Sequence, residues 1–137
     1  ADGTTRLRLS LRTDMRTIVV IDDNEGLVEL LDRYLTGLPY KLVAANDGFE
    51  GLKLCHELSP DIVILDVMMP EMDVWEVLQR LQNSPNTAHI PVIVSSVFND
   101  PALAVSLGAS MFLAKPIKRE ELLYTLNEIA AQSLHAE

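Results

Sequence analysis

The chain has 137 residues, 48% hydrophobic and 23% charged, enough for one globular domain with a core that needs neither disulfides nor structural metal. Eleven Lys and Arg against twenty Asp and Glu give a formal charge of −9, which argues against a nucleic-acid-binding face, and 5% aromatics make the expected core aliphatic. The one cysteine, Cys55, excludes an internal disulfide and a cysteine-based zinc site and fits a reducing, cytoplasmic setting.

The longest apolar stretches, such as residues 18–21, are too short for a membrane span. Arg6, Arg8 and Arg12 interrupt the apolar positions where a signal peptide would need continuity. The charge is uneven. Residues 1–16 carry four Arg and two Asp, and the remainder carries seven basic against eighteen acidic residues, a charge of −11.

Residues 1–15 form an N-terminal arm or linker. Arg6 to Arg12 alternates polar and apolar, as a half-buried strand does, but no helix pattern accompanies it. Two readings stay open: a vector-derived tail, or the last strand of an upstream domain. The body, residues 16–132, alternates short apolar runs with amphipathic stretches, and residues 133–137 are a short tail.

The runs fall at residues 17–21, 41–45, 61–65, 91–95 and 110–114. Most are rich in Val and Ile, the profile of strands buried on both faces. Leu27, Leu30, Leu31, Tyr34 and Leu35 space a first helix, with Gly37 as its stop and Asp22 or Asp23 as a candidate cap. A second helix follows Asp47 and runs to Leu58. A third shows Val74, Val77, Leu78 and Leu81 behind Asp73, with Glu76 at capping-box spacing. The fourth is short, opening on Asp100-Pro101 and ending by Gly108. The fifth carries Leu122, Leu123, Leu126, Ile129 and Ala130.

Five strand-then-helix units predict an α/β fold: a flavodoxin-like, doubly wound, five-stranded parallel sheet of order 2-1-3-4-5 with five helices. In such sheets ligands bind beyond the carboxyl ends of the strands, where the strand order reverses. Asp22 and Asp23 follow the first strand, Asp66 the third, Ser96 the fourth and Lys115 the fifth. Singly, each has an ordinary role as a cap, turn or loop residue. Together they place three carboxylates, a hydroxyl and an ammonium at one edge. Like charges so packed need a counter-charge, and Mg²⁺, a hard cation that keeps waters and phosphate oxygens, is the natural one. The remaining carboxylate is then a nucleophile toward phosphorus.

The segments Ile18-Val19-Val20-Ile21-Asp22-Asp23-Asn24, Leu65-Asp66-Val67-Met68-Met69-Pro70-Glu71-Met72-Asp73, Pro91-Val92-Ile93-Val94-Ser95-Ser96 and Gly108-Ala109-Ser110-Met111-Phe112-Leu113-Ala114-Lys115-Pro116 resemble the receiver domain of bacterial two-component response regulators. The resemblance covers residues 16–132. It implies Asp66 as phosphoacceptor, with a sensor histidine kinase or a histidine phosphotransfer domain as the donor partner. It implies Mg²⁺ held by Asp23, Asp66 and the Met68 backbone carbonyl, with Asp22 acting through water. Ser96 and Lys115 would contact the phosphoryl group, Phe112 would be the aromatic that turns inward when Ser96 moves, and Lys115–Pro116 would be cis. Members often pair through the face made by the fourth helix, fifth strand and fifth helix, so a homodimer of that kind is implied. No nucleic acid or membrane insertion is expected. The chain would be a switch and not a turnover enzyme, either as a stand-alone regulator or as a receiver of a hybrid sensor kinase.

Four positions depart from the family pattern. Val74 stands for the usual Gly, Phe112 for the commoner Tyr and Val97 for a small Ala. Ser95 puts a hydroxyl into an apolar strand, where it must find a partner or cost roughly 1–3 kcal/mol. Val74 and Val97 motivate an alternative, a non-phosphorylated pseudo-receiver acting as an interaction module. A flavodoxin-like cofactor binder fits poorly, because its phosphate loop would here be acidic. Met68 and Phe98, both apolar, flank the expected water path and predict slow self-dephosphorylation.

Overall fold

The computed structural model describes residues 15–69, 73–97, 101–106 and 108–135. The alternating stretch of the arm, Phe98, Asp100 and the last two residues of the tail lie outside these described residues. The apolar runs form five strands, β1 (Arg16–Ile21), β2 (Tyr40–Ala45), β3 (Ile62–Asp66), β4 (Val92–Ser96) and β5 (Met111–Ala114). All neighbours pair in parallel in the order β2-β1-β3-β4-β5. Between them run α1 (Glu25–Tyr34), α2 (Gly48–Leu58), α3 (Val74–Asn83), α4 (Pro101–Ser106) and α5 (Arg119–His135). No helix among the described residues is long and apolar enough to cross a membrane.

The pleat divides the apolar side chains between two cores. Val19, Ile21, Val63, Leu65, Val92 and Val94 face one way, against Leu52 and Cys55 of α2 and Val77, Leu78 and Leu81 of α3. Ile18, Val20, Ile62, Ile64, Ile93 and Leu113 face the other, against Leu31 of α1 and Leu122, Leu126 and Ile129 of α5. Burying each such side chain contributes on the order of 1.5–3 kcal/mol. Burial on both faces holds for β3 and β4, whose residues are all buried, and for the last four residues of β1. It does not hold for β2 and β5. They are the sheet edges, with only one neighbour each, and most of their residues keep partial contact with solvent.

Short polar side chains start the helices. Asp47 Oδ1 accepts from the Glu50 N–H at 2.8 Å, and Asp73 Oδ1 accepts from the Glu76 N–H at 3.2 Å. For α1 the cap is Asn24, whose Oδ1 accepts from the Leu27 N–H at 3.1 Å. Neither Asp22 nor Asp23 caps this helix, so the acidic pair is left for other work. Such caps are worth about 1 kcal/mol each. The helix ends at Tyr34 with Leu35 as cap, and Gly37 turns the chain two residues later at a φ of 83°.

α2 lies so close to β1 that position 51 has no room for a side chain. A Cβ on Gly51 would sit 2.6 Å from Cγ1 of Ile21, itself fully buried. Gly51→Ala is therefore expected to lower stability by about 1–3 kcal/mol in urea unfolding, through overpacking. Unchanged stability would mean that α2 is free to shift outward.

Candidate functional site

β1 and β3 lie side by side at the centre of the sheet because the chain crosses to opposite faces after each of them. Their carboxyl ends therefore deliver Asp22 and Asp66 to the same point. Asp22 is 3% exposed and Asp66 5%, whereas Asp23 is open to solvent. Carboxylate oxygens of Asp22, Asp23 and Asp66 lie within 4.8 Å of one another.

Each buried carboxylate is fixed by the chain that follows it. Asp22 Oδ1 accepts from the Asn24 N–H at 2.9 Å, and Asp66 Oδ1 accepts from the Met68 N–H at 3.0 Å. These short loops aim the second oxygen of each group inward. There Lys115 meets both, with Nζ 2.9 Å from Asp22 Oδ2 and 3.4 Å from Asp66 Oδ2. The Lys115 backbone is tied down too, its N–H donating to the Ser96 carbonyl at 2.8 Å.

Burial raises the proton affinity of Asp66 above that of an ordinary carboxylate, and the nearby Asp22 charge adds to the rise. The Met68 N–H and Lys115 oppose it without cancelling it. One ammonium thus underbalances three carboxylates. An all-oxygen donor set, with an excess of negative charge and one ligand open to water, fits a hard divalent cation such as Mg²⁺.

Ser96 is the last residue of β4 and fully buried, one position beyond the Asp66–Ser95 register pair. Phe112, on β5, is half-buried and packs against the core beneath α2 and α3. The Lys115–Pro116 bond is cis. Met68 is 51% exposed and Val97 61%, which places both at the rim. Val74 is the first residue of α3, directly behind the Asp73 cap.

One feature near the site was not evident from the residue pattern, and a second was raised by it and left open. The Tyr34 hydroxyl donates to the Ile117 carbonyl at 3.0 Å, tying α1 to the segment that leads away from Lys115. The helical stripe identified Tyr34 only as an apolar position, and nothing in the sequence joins residues 83 apart. The Ser95 hydroxyl is fully buried and has no hydrogen-bond partner. The sequence posed that question, and the structure answers it against a backbone partner.

The sequence pattern of the response regulator receiver domain matches residues 18–127. The response regulator PleD of Caulobacter vibrioides (strain NA1000 / CB15N) is 42% identical over 103 residues, which are 73% of this chain and 23% of PleD. The chain thus spans under a quarter of that relative's length. The chemotaxis response regulator CheY4 of Vibrio cholerae superposes with a TM-score of 0.76 at 25% identity, over 84% of this chain and 98% of CheY4. The signal receiver domain of a signal transduction histidine kinase from Syntrophus aciditrophicus gives 0.74 at 29% identity, over 85% and 91%. With this sheet order, this acidic edge and these relatives, the chain belongs to the response regulator receiver domain family of two-component signalling.

Proposed function

We propose that this domain is a phosphoacceptor switch, and that Asp66 is the residue phosphorylated. The observation that carries the reading is the convergence of Asp22, Asp23, Asp66 and Lys115 at the carboxyl edge of β1 and β3. A carboxylate oxygen of Asp66 attacks the phosphorus of a phosphohistidine. The new P–O bond makes an acyl phosphate, the P–N bond breaks, and the departing imidazole takes up a proton. Lys115 pairs with the phosphoryl oxygens and Ser96 donates its hydroxyl to them, so both stabilise charge where it develops.

Asp23, Asp66 and the Met68 carbonyl would hold Mg²⁺ directly, and Asp22 through water. The ion supplies further neutralisation of phosphoryl charge. The donor is a sensor histidine kinase or a histidine phosphotransfer domain, in a cytoplasmic setting. The output is the face of α4, β5 and α5, with Phe112 turning inward as Ser96 closes on the phosphoryl group. A pseudo-receiver would need the acidic edge disrupted. Val97 instead lies exposed at the rim, Val74 begins a capped helix, and the three carboxylates stay together. The apolar Met68 at the mouth favours slow loss of the phosphoryl group, because it neither orients nor activates an attacking water.

Incubation with acetyl phosphate and Mg²⁺ is expected to give one phosphoryl adduct by intact mass, absent without Mg²⁺ and absent in Asp66→Asn. The adduct of the double variant Met68→Asn, Phe98→Glu is expected to decay faster. An adduct that persists in Asp66→Asn would refute the assignment.

The raised proton affinity of Asp66 sets the sign of a pH effect. Below the ordinary carboxylate range Asp66 is protonated in both folded and unfolded chains and contributes no pH dependence. As pH rises through its elevated folded value, the folded state loses stability relative to the unfolded one. Without Mg²⁺, Asp66→Asn is therefore expected to be more stable than the parent at neutral pH, with the advantage shrinking toward about pH 4. A variant less stable at neutral pH would contradict this.

A further inference from the structure

In the sheet, β3 and β4 lie between β1 and β5, so no ladder of backbone hydrogen bonds joins those two strands. At about 4.8 Å per strand spacing the gap is roughly 14 Å. Two side chains nevertheless bridge it. Lys115, just beyond β5, places Nζ 2.9 Å from Oδ2 of Asp22, just beyond β1. Tyr34, the last residue of α1, donates its hydroxyl to the Ile117 carbonyl at 3.0 Å. Both bridges join the same two parts of the chain: β1 with the helix it feeds, and the segment that follows β5.

Where an ammonium lands depends on where its backbone is held, because its four-carbon stem is flexible. On one side, the Lys115 N–H donates to the Ser96 carbonyl at 2.8 Å. On the other comes Pro116, which has no N–H to give, and then Ile117. The Ile117 side chain is buried in the same core as Leu31 of α1 and Leu122 of α5. That burial fixes the side chain, while the Tyr34 hydroxyl fixes the carbonyl. The peptide plane after Ile117 cannot rotate without breaking this partly buried hydrogen bond. Phenylalanine would serve the apolar stripe of α1 equally well, so it is the hydroxyl that reaches the segment after Lys115.

We propose that Tyr34 is a positioning residue of this site: its hydroxyl is a strut that holds the backbone after Lys115, and so keeps the ammonium beside Asp66. This role rests on the phosphoacceptor reading above and goes beyond it. Tyr34 touches no reacting atom and acts through Lys115. The residues proposed to hold Mg²⁺ directly, Asp23, Asp66 and Met68, lie at or just beyond the ends of β1 and β3, outside the braced segment. The loop after β1 has its own anchor, the Asp22 N–H donating to the Ala45 carbonyl at 3.0 Å. Loss of the Tyr34 hydroxyl therefore loosens the ammonium and leaves the metal ligands in place. A merely structural role would disturb both alike.

Tyr34→Phe keeps the ring and removes only the hydroxyl. Of the four lysines Lys115 alone is not exposed, so exchange of its ammonium protons with water can be followed by NMR in lysine-labelled protein. Its signal is assigned by its loss in Lys115→Arg. Exchange is expected to be about three- to tenfold faster in Tyr34→Phe. Calorimetric titration is expected to show beryllium fluoride, a phosphoryl mimic, binding about three- to tenfold more weakly at saturating Mg²⁺. Mg²⁺ alone is expected to bind within about twofold of the parent. Unchanged ammonium exchange would overturn the proposal. So would beryllium fluoride binding as tight as the parent's, or an equal weakening of Mg²⁺ and beryllium fluoride. If the parent itself binds no beryllium fluoride with Mg²⁺, the phosphoacceptor reading fails, whereas the ammonium exchange still decides whether Tyr34 positions Lys115.

Discussion

Two carboxylates and one ammonium are held together out of water at the carboxyl edge of this sheet, and their imbalance organises what surrounds them. An ion pair so deeply placed is weak evidence for stability, because desolvating its members costs several kcal/mol each before they attract one another. The contacts of Lys115 with Asp22 and Asp66 are close, yet Asp66 still holds its proton more tightly than a free carboxylate. The site therefore favours the arrival of more positive charge. A fold that only needed stability would be better served by apolar residues at these positions. In the proposed phosphoacceptor role these positions supply a reactive oxygen in a confined place.

The rest of the molecule delivers and holds that arrangement. Aliphatic packing on both faces fixes β1 and β3, so the carboxylates that end them cannot move apart. Asn24 takes the capping role at α1 and leaves both aspartates before it available. The Asn24 and Met68 N–H groups each occupy one oxygen of a buried carboxylate and present the other. Tyr34 ties α1 to the chain beyond Lys115, bracing the one cation in the group from behind. Much of the −9 formal charge then has a local meaning. Three of the acids form the site, and others cap helices or pair within them, as Glu76 does with Arg80.

Most of this was legible in the residues. The short Val- and Ile-rich runs, and the helical spacing between them, pointed to a parallel doubly wound sheet, for which the order 2-1-3-4-5 was the expected solution. Asp22, Asp23, Asp66, Ser96 and Lys115 could be placed at one edge because each immediately follows or ends a strand. Other features were hidden for identifiable reasons. The half-exposed edges β2 and β5 read as buried because composition reports side-chain type and not the number of neighbours a strand has. Asn24 and the two aspartates before it are equally good caps on paper, and only backbone geometry chooses among them. The link from Tyr34 to Ile117 spans two separate units and leaves no local pattern. The Ser95 hydroxyl was visible as a misfit, but its lack of a partner is a three-dimensional fact.

The excess of negative charge at this acidic edge calls for one hard cation. Calorimetric titration with Mg²⁺ of the parent and of Asp23→Asn tests it most directly, because Asp23 is the solvent-open member of the trio and its loss leaves the buried pair intact. One Mg²⁺ per chain is expected in the parent, with binding weakened by about tenfold or more in the variant. A parent that binds no Mg²⁺, or a variant that binds it as well as the parent, would contradict it.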